Sequence, residues 1–288
     1  MLLSSTEPAA AFCRTRTCVP VECDPGSTSC ISRRCQLDAR GCVAEGAVSY
    51  YALPCLSFAI DGGSAARVGI THQQFLEIVE AAFTRWSSVD CPGGGKPGFL
   101  TATAGVVEVA GNHFCSAVPE ANLGVWTFPE KWTHPSSSVG FTTLWLGGAG
   151  NVLDADVELN ADWFGGRAGE LTSVLLTVAT HEAGHVLGID HSQESSALMA
   201  AAYSDGLMTD RNLGPDDVDA ICTLYPPASS QLRCPAPIVR DEGLDPSACR
   251  AAVDDGAGCS FEAPVRASQL VFAAVVLVAA LALKRRRS

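Results

Sequence analysis

From His181 to His191 the chain reads HEAGHVLGIDH, and no other stretch constrains the fold as tightly. Two histidines four apart stand on one helix face, one turn apart, so both imidazoles can reach a single metal ion. Gly188 follows the second histidine closely and can adopt the left-handed conformation that ends a helix sharply. The chain can then swing back so that His191 becomes a third ligand. The fourth tetrahedral position is left for water, which a catalytic zinc requires and a closed structural site lacks. Glu182 adjoins the first ligand. It cannot easily bind the same ion but can reach the water bound to it.

Around this stretch the apolar pattern describes an α+β domain. Leu56–Ile60 reads as a first strand closed by Asp61-Gly62-Gly63. Thr71 and Gln74 form a capping-box pattern, and Phe75, Ile78, Val79, Ala82, Phe83 and Trp86 follow at helical spacing, the stripe of a core helix packed on a sheet. Short strand-like runs come at Phe99–Thr103, Val106–Ala110, Val125–Phe128 and Phe141–Leu146. In Val152–Asn160, Leu153, Ala155, Val157 and Leu159 alternate with Asp154, Asp156, Glu158 and Asn160, which predicts a half-buried strand. Leu171–Leu187 is the helix that carries the first two histidines. Gly214–Tyr225 reads as a last helix, with Pro215 at its start and Asp216 and Asp217 near its positive end. His72, His113 and His134 lack ligand spacing and read as surface or loop residues.

The stretch fits H-E-x-x-H-x-x-G-x-x-H at every fixed position and continues Ser192-Gln193-Glu194-Ser195-Ser196-Ala197-Leu198-Met199. With that continuation the chain resembles the matrixin branch of the metzincins, the matrix-metalloproteinase-like proteases. The resemblance spans about Leu56 to Tyr225 and is best from Asp154 onward. It implies a metzincin-like catalytic domain: a mixed, twisted sheet packed on two long helices, plus a small C-terminal subdomain. It also implies a zinc metalloendopeptidase acting on proteins or peptides with one catalytic Zn2+, held by His181, His185 and His191, and with Glu182 as general base. Met199 takes the place of the methionine that turns beneath the zinc, and Tyr203 that of a pocket tyrosine. The family's use of carboxylates for Ca2+ in this strand region points to Asp154, Asp156 and Glu158, the alternative being a solvated polar strand face. Phe141–Leu146 is the candidate for the strand along which a peptide would pair; an internal strand is the other reading. Two departures stand out. Ala200-Ala201 replaces the usual Tyr-Pro after the methionine, and Asn151-Val152 stands where vertebrate members place a histidine for a second zinc. A zinc-containing surface binding or adhesion module without protease activity is the alternative function.

Composition bears on where such a protein works. Thirteen cysteines with no CxxC pair argue for disulfides and an oxidising compartment, hence export to the extracellular space or cell surface. Six of them fall within residues 12–42, a segment too poor in apolar residues to build a core unstapled. A net charge of −12, with Lys284–Arg287 the one dense basic run, excludes nucleic acid as a partner. The expected organisation is a signal-peptide remnant at 1–11, a cysteine-rich segment at 12–47, the protease domain at 48–227, a cysteine-containing linker at 228–258 and a sorting or transmembrane segment at 259–288. Within the last, Cys259, the apolar run Leu270–Leu283 and the basic tail resemble a myxobacterial-type C-terminal sorting signal, with an uncut membrane anchor as the other reading. The protein is expected to act as a monomer attached to the membrane or cell surface through this end.

Overall fold

The computed structural model describes residues 11–18, 34–51, 54–107, 123–146, 149–165, 169–202, 211–227 and 265–266. Residues 1–10, His113, Tyr203, the linker at 228–258, Cys259 and the run Leu270–Leu283 lie outside the described residues. Among the described residues no helix is long and apolar enough to cross a membrane.

The centre of the molecule is a twisted sheet in the order β3 (Leu100–Val107), β2 (Cys55–Asp61), β4 (Leu123–Thr127), β6 (Val152–Leu159), β5 (Gly140–Leu146). All neighbours are parallel except β5, which runs antiparallel to β6. A two-residue strand, β8 (Val265–Arg266), pairs antiparallel with Thr143 and Leu144 on the outer edge of β5. The candidate pairing strand is therefore the last long strand of the sheet. The two runs expected at Phe99–Thr103 and Val106–Ala110 join into the single strand β3. Gly105, at φ 80°, lies at the register shift that lets one strand continue through both.

Period-2 alternation assigns the faces. Phe58, Ile60 and Trp126 belong to the main core, while Ala59 and Val125 belong to a smaller cluster with Val107 and Leu123 on the other side. The main core is completed by α1 (His72–Ser87) and α3 (Leu171–Val186). The capping box that starts α1 is formed: Thr71 Oγ1 accepts from Gln74 N at 3.1 Å, and Gln74 Oε1 accepts from Thr71 N at 2.9 Å. Phe75, Ile78, Val79, Ala82, Phe83 and Trp86 are buried, as their spacing predicts. Trp86 Nε1 donates to the Thr180 carbonyl at 2.8 Å, fastening α1 to α3 one residue before the histidine motif.

The polar face of β6 differs from expectation, because Asp154 and Asp156 are both only 4 % exposed. The strand lies inside the sheet, and its carboxylates serve as internal acceptors. Asp156 takes hydrogen bonds from Val125 N at 3.0 Å and Trp145 Nε1 at 3.4 Å, so at Val125 it stands in for the β4–β6 ladder. The short helix α2 (Ala161–Phe164), capped by the Asn160 side chain, was not expected from the sequence.

The cysteine-rich segment is docked on the domain. Its β1 (Cys13–Arg14) pairs antiparallel with β7 (Ile189–Asp190), which directly precedes His191. Disulfides join Cys13 to Cys42, Cys18 to Cys35 and Cys91 to Cys222, and Cys55 is also disulfide-bonded. Every described cysteine is therefore paired. Cys91–Cys222 ties the loop after α1 to α4 (Pro215–Leu224), the last helix, whose first turn carries Pro215, Asp216 and Asp217 as expected.

Candidate metal centre

His181 and His185 project from the last turns of α3. Gly188, at φ 89°, turns the chain out of the helix, its N–H bonded to the His185 carbonyl at 2.9 Å. The strand β7 then brings His191 back. The ring centroids of His181 and His185 are 4.8 Å apart, those of His185 and His191 4.8 Å, and those of His181 and His191 5.3 Å.

One nitrogen of each helical imidazole is already committed. His181 Nδ1 lies 2.8 Å from the Leu198 carbonyl, and His185 Nδ1 lies 2.8 Å from the Ile189 carbonyl. An Nδ1 that donates to a carbonyl leaves Nε2 unprotonated, with its lone pair directed outward. Burial reinforces this state. It depresses the pKa of His181 to about 3, with the neighbouring His185 adding to the effect and the Leu198 carbonyl opposing it. His185 is pushed down to about 4 and His191 to about 3, again chiefly by burial.

The donor set suits zinc. One ligand nitrogen from each of the three histidines lies within 4.8 Å of the others. A tetrahedral ion with zinc–nitrogen bonds of about 2.0–2.1 Å needs ligand nitrogens ~3.4 Å apart, a separation that small ring movements supply. The group Cys18, Cys35 and Glu45 also clusters, but its sulfurs form a disulfide and cannot act as thiolate ligands. Asp154, Asp156 and Glu158 do not converge on one point among the described residues. Their oxygens are engaged separately, Glu158 with His134 Nε2 at 2.8 Å. His134 thus lies in a loop, as one of the two readings had it, but its side chain is turned inward. Its ring stacks on Phe141 with centroids 3.9 Å apart, and its side chain is 8 % exposed.

Glu182 is buried, and burial lifts its pKa to about 7 against a hydrogen bond from Thr142 that lowers it. Thr142 Oγ1, on β5, donates to Glu182 Oε2 at 2.6 Å. Met199 is fully buried beneath α3. A Cβ on Gly184 would overlap the Met199 sulfur and come within 2.8 Å of Trp86 Cζ2, so the glycine between the two helical histidines makes room for this methionine.

Asp217 fixes the turn that ends at Met199. Its carboxylate accepts from Leu198 N at 2.7 Å, Met199 N at 3.0 Å and Gly214 N at 2.7 Å. Asp216 accepts from Ala11 N at 2.7 Å, Phe12 N at 3.0 Å and Ser192 Oγ at 2.5 Å. Sequence reasoning placed these aspartates at the positive end of the last helix, in a stretch similar to the matrixin ending, without naming their partners, and passed over Thr142 and Gly140. A strand threonine and a strand glycine carry no outward sign of a carboxylate neighbour.

Residues 128–226 match the matrixin family. Human matrix metalloproteinase-19 is 44% identical over 68 residues, covering 24% of this chain and 12% of that protein. Human matrilysin is 33% identical over 95 residues, covering 32% of this chain and 35% of that protein. Karilysin of Tannerella forsythia is 53% identical over 51 residues, covering 18% of this chain and 10% of that protein. The chain thus spans no more than about a third of the length of these relatives. The matched segment holds all three histidines, Glu182, Met199 and both aspartates.

Proposed function

We propose that this chain is an exported zinc-dependent endopeptidase that uses Glu182 as general base and His181, His185 and His191 as metal ligands. The observation that carries this reading is the convergence of three neutral imidazoles, two of them locked by carbonyls at Nδ1, beside a buried carboxylate on the same helix. The matrixin match over the same residues supports it. When bound, zinc supplies a Lewis acid that polarises the scissile carbonyl and makes a water acidic enough to react near neutral pH.

The protein's own groups do the rest. Glu182 accepts a proton from the attacking water and later delivers it to the leaving amine, and its burial favours the protonated form it takes between the two steps. Met199 packs under the helix against Gly184, between the two helical histidines. A peptide substrate aligned along the outer edge of β5 would run beside Glu182, taking the place that β8 holds at Thr143 and Leu144. The paired cysteines support the oxidising location.

The test is a pair of variants assayed on a generic protein substrate. Glu182→Ala should keep its zinc and lose nearly all turnover, whereas His185→Ala should lose zinc as well. Near wild-type turnover by Glu182→Ala would refute the mechanism, and chelator-resistant activity would refute the role of the metal.

A further inference from the structure

Two residues of β5 are shaped around the Glu182 carboxylate in different ways. Thr142 Oγ1 donates to Oε2 at 2.6 Å, and the hydroxyl has a single proton to give; its contact with the Glu182 carbonyl, at 3.5 Å, is the weaker one. Oε1 lies over Gly140, where a Cβ would overlap it and would sit 2.8 Å from Cδ and 2.9 Å from Cγ. Any other residue at 140 would push the carboxylate away. The two oxygens are therefore in unlike settings, one engaged by a hydroxyl and one lodged over bare backbone.

We propose that Thr142 is a positioning residue that fixes the rotation of the Glu182 carboxylate, engaging Oε2 with its hydroxyl and leaving Oε1, over the bare backbone of Gly140, as the oxygen that accepts the proton of the attacking water. The inference rests on the reading of Glu182 as general base. Its physical basis is that the glutamate side chain has three rotatable bonds, while threonine is stiff at χ1 and sits on a strand paired along its whole length with β6. The hydrogen bond lends the strand's rigidity to the carboxylate. Proton transfer needs a donor–acceptor geometry held closely, and small misplacements of a reacting group lower the rate of the chemical step more than the binding of substrate.

The experiment compares wild type, Thr142→Val, Thr142→Ala, Thr142→Ser and Glu182→Ala as full-length, zinc-loaded proteins. For each, kcat, KM, zinc content and melting temperature are measured, and a crystal structure of Thr142→Val is determined. Both variants without a hydroxyl should lose about ten-fold or more in kcat, with KM within about two-fold of wild type and zinc content unchanged. Thr142→Ser should recover most of the rate, and the Thr142→Val crystal should show the carboxylate turned from its wild-type orientation. If Glu182→Ala is inactive while Thr142→Val and Thr142→Ala keep full kcat, the positioning role is wrong and the base assignment stands. Equal slowing of Thr142→Ser and Thr142→Val would also overturn it, since packing rather than the hydroxyl would then matter. If Glu182→Ala itself stays active, the underlying reading of the site has failed.

Discussion

Replacing Asp217 tests whether the turn beneath the candidate metal site is held from α4. The carboxylate is fully buried and accepts three backbone N–H groups, two from the turn and one from Gly214. In Asp217→Ala the Leu198 and Met199 N–H groups lose their acceptor, both belonging to residues with no exposure, whereas Gly214 is partly exposed and its N–H can recover water. Two unsatisfied buried donors at about 1–3 kcal/mol each give a loss of about 2–6 kcal/mol. Against this stands the release of a buried carboxylate, whose pKa is raised by burial in spite of its three donors. The balance is a net loss in the lower part of that range, about 2–4 kcal/mol. Asn keeps one acceptor oxygen, enough for Leu198 and Gly214, which share Oδ2, and so should cost roughly half as much. Urea unfolding of the zinc-loaded protein, followed by tryptophan fluorescence, measures the differences directly. A loss below about 1 kcal/mol for Asp217→Ala would refute the reasoning. So would an Asn variant as unstable as Ala, because the number of acceptor oxygens would then be irrelevant.

Gly184→Ala places a Cβ against Met199 and Trp86 and should destabilise by about 1–3 kcal/mol, read as a lowered melting temperature. The Cys91–Cys222 disulfide closes a separation of 131 residues, so the double variant Cys91→Ala, Cys222→Ala should lose about 5 kcal/mol by chain entropy in denaturant titration. Burial raises the pKa of Asp156 from 3.8 to about 7, so the folded state holds a proton that the unfolded chain releases. That stabilisation is full below about pH 4 and is lost as pH rises through about 7; melting temperatures in chelator should show the decline, and Asp156→Asn should flatten it.

How much of this could be read from the sequence depends on the range of the forces involved. The Thr71–Gln74 cap, the stripe of α1 and the exit at Gly188 are set by neighbours a few residues away, and each is present as expected. The three histidines were equally legible, because helix geometry and a single glycine turn bring them together. The burial of both faces of β6 was not, since alternation reports which residues differ in polarity and not what covers them. Asp156 reads as solvated until the chain of β4 is laid beside it. Asp217 and Thr142 escaped for the same reason: their partners are 18 and 40 residues away, and nothing local distinguishes them from a helix-start acid or a β-branched strand residue.

His191, the third proposed ligand, shows how far the candidate metal centre extends beyond its motif. His181 and His185 are placed by one helix, but His191 sits on a connection with no regular structure of its own beyond the two residues of β7. That connection is held from outside. Thr15 N bonds to the Gly188 carbonyl at 3.0 Å, β1 pairs with β7, and Gln193 N bonds to the Ala11 carbonyl at 3.2 Å. Asp216 then gathers Ala11 N, Phe12 N and Ser192 Oγ on one carboxylate. Residues 11–15 therefore brace the segment on both sides of His191, and Cys13–Cys42 fastens the brace to the cysteine-rich segment. A ligand on a free connection would add the entropy of ordering that connection to the cost of every binding event. Here that cost is met during folding, by residues that lie outside the matrixin match and carry no metal-binding signal of their own.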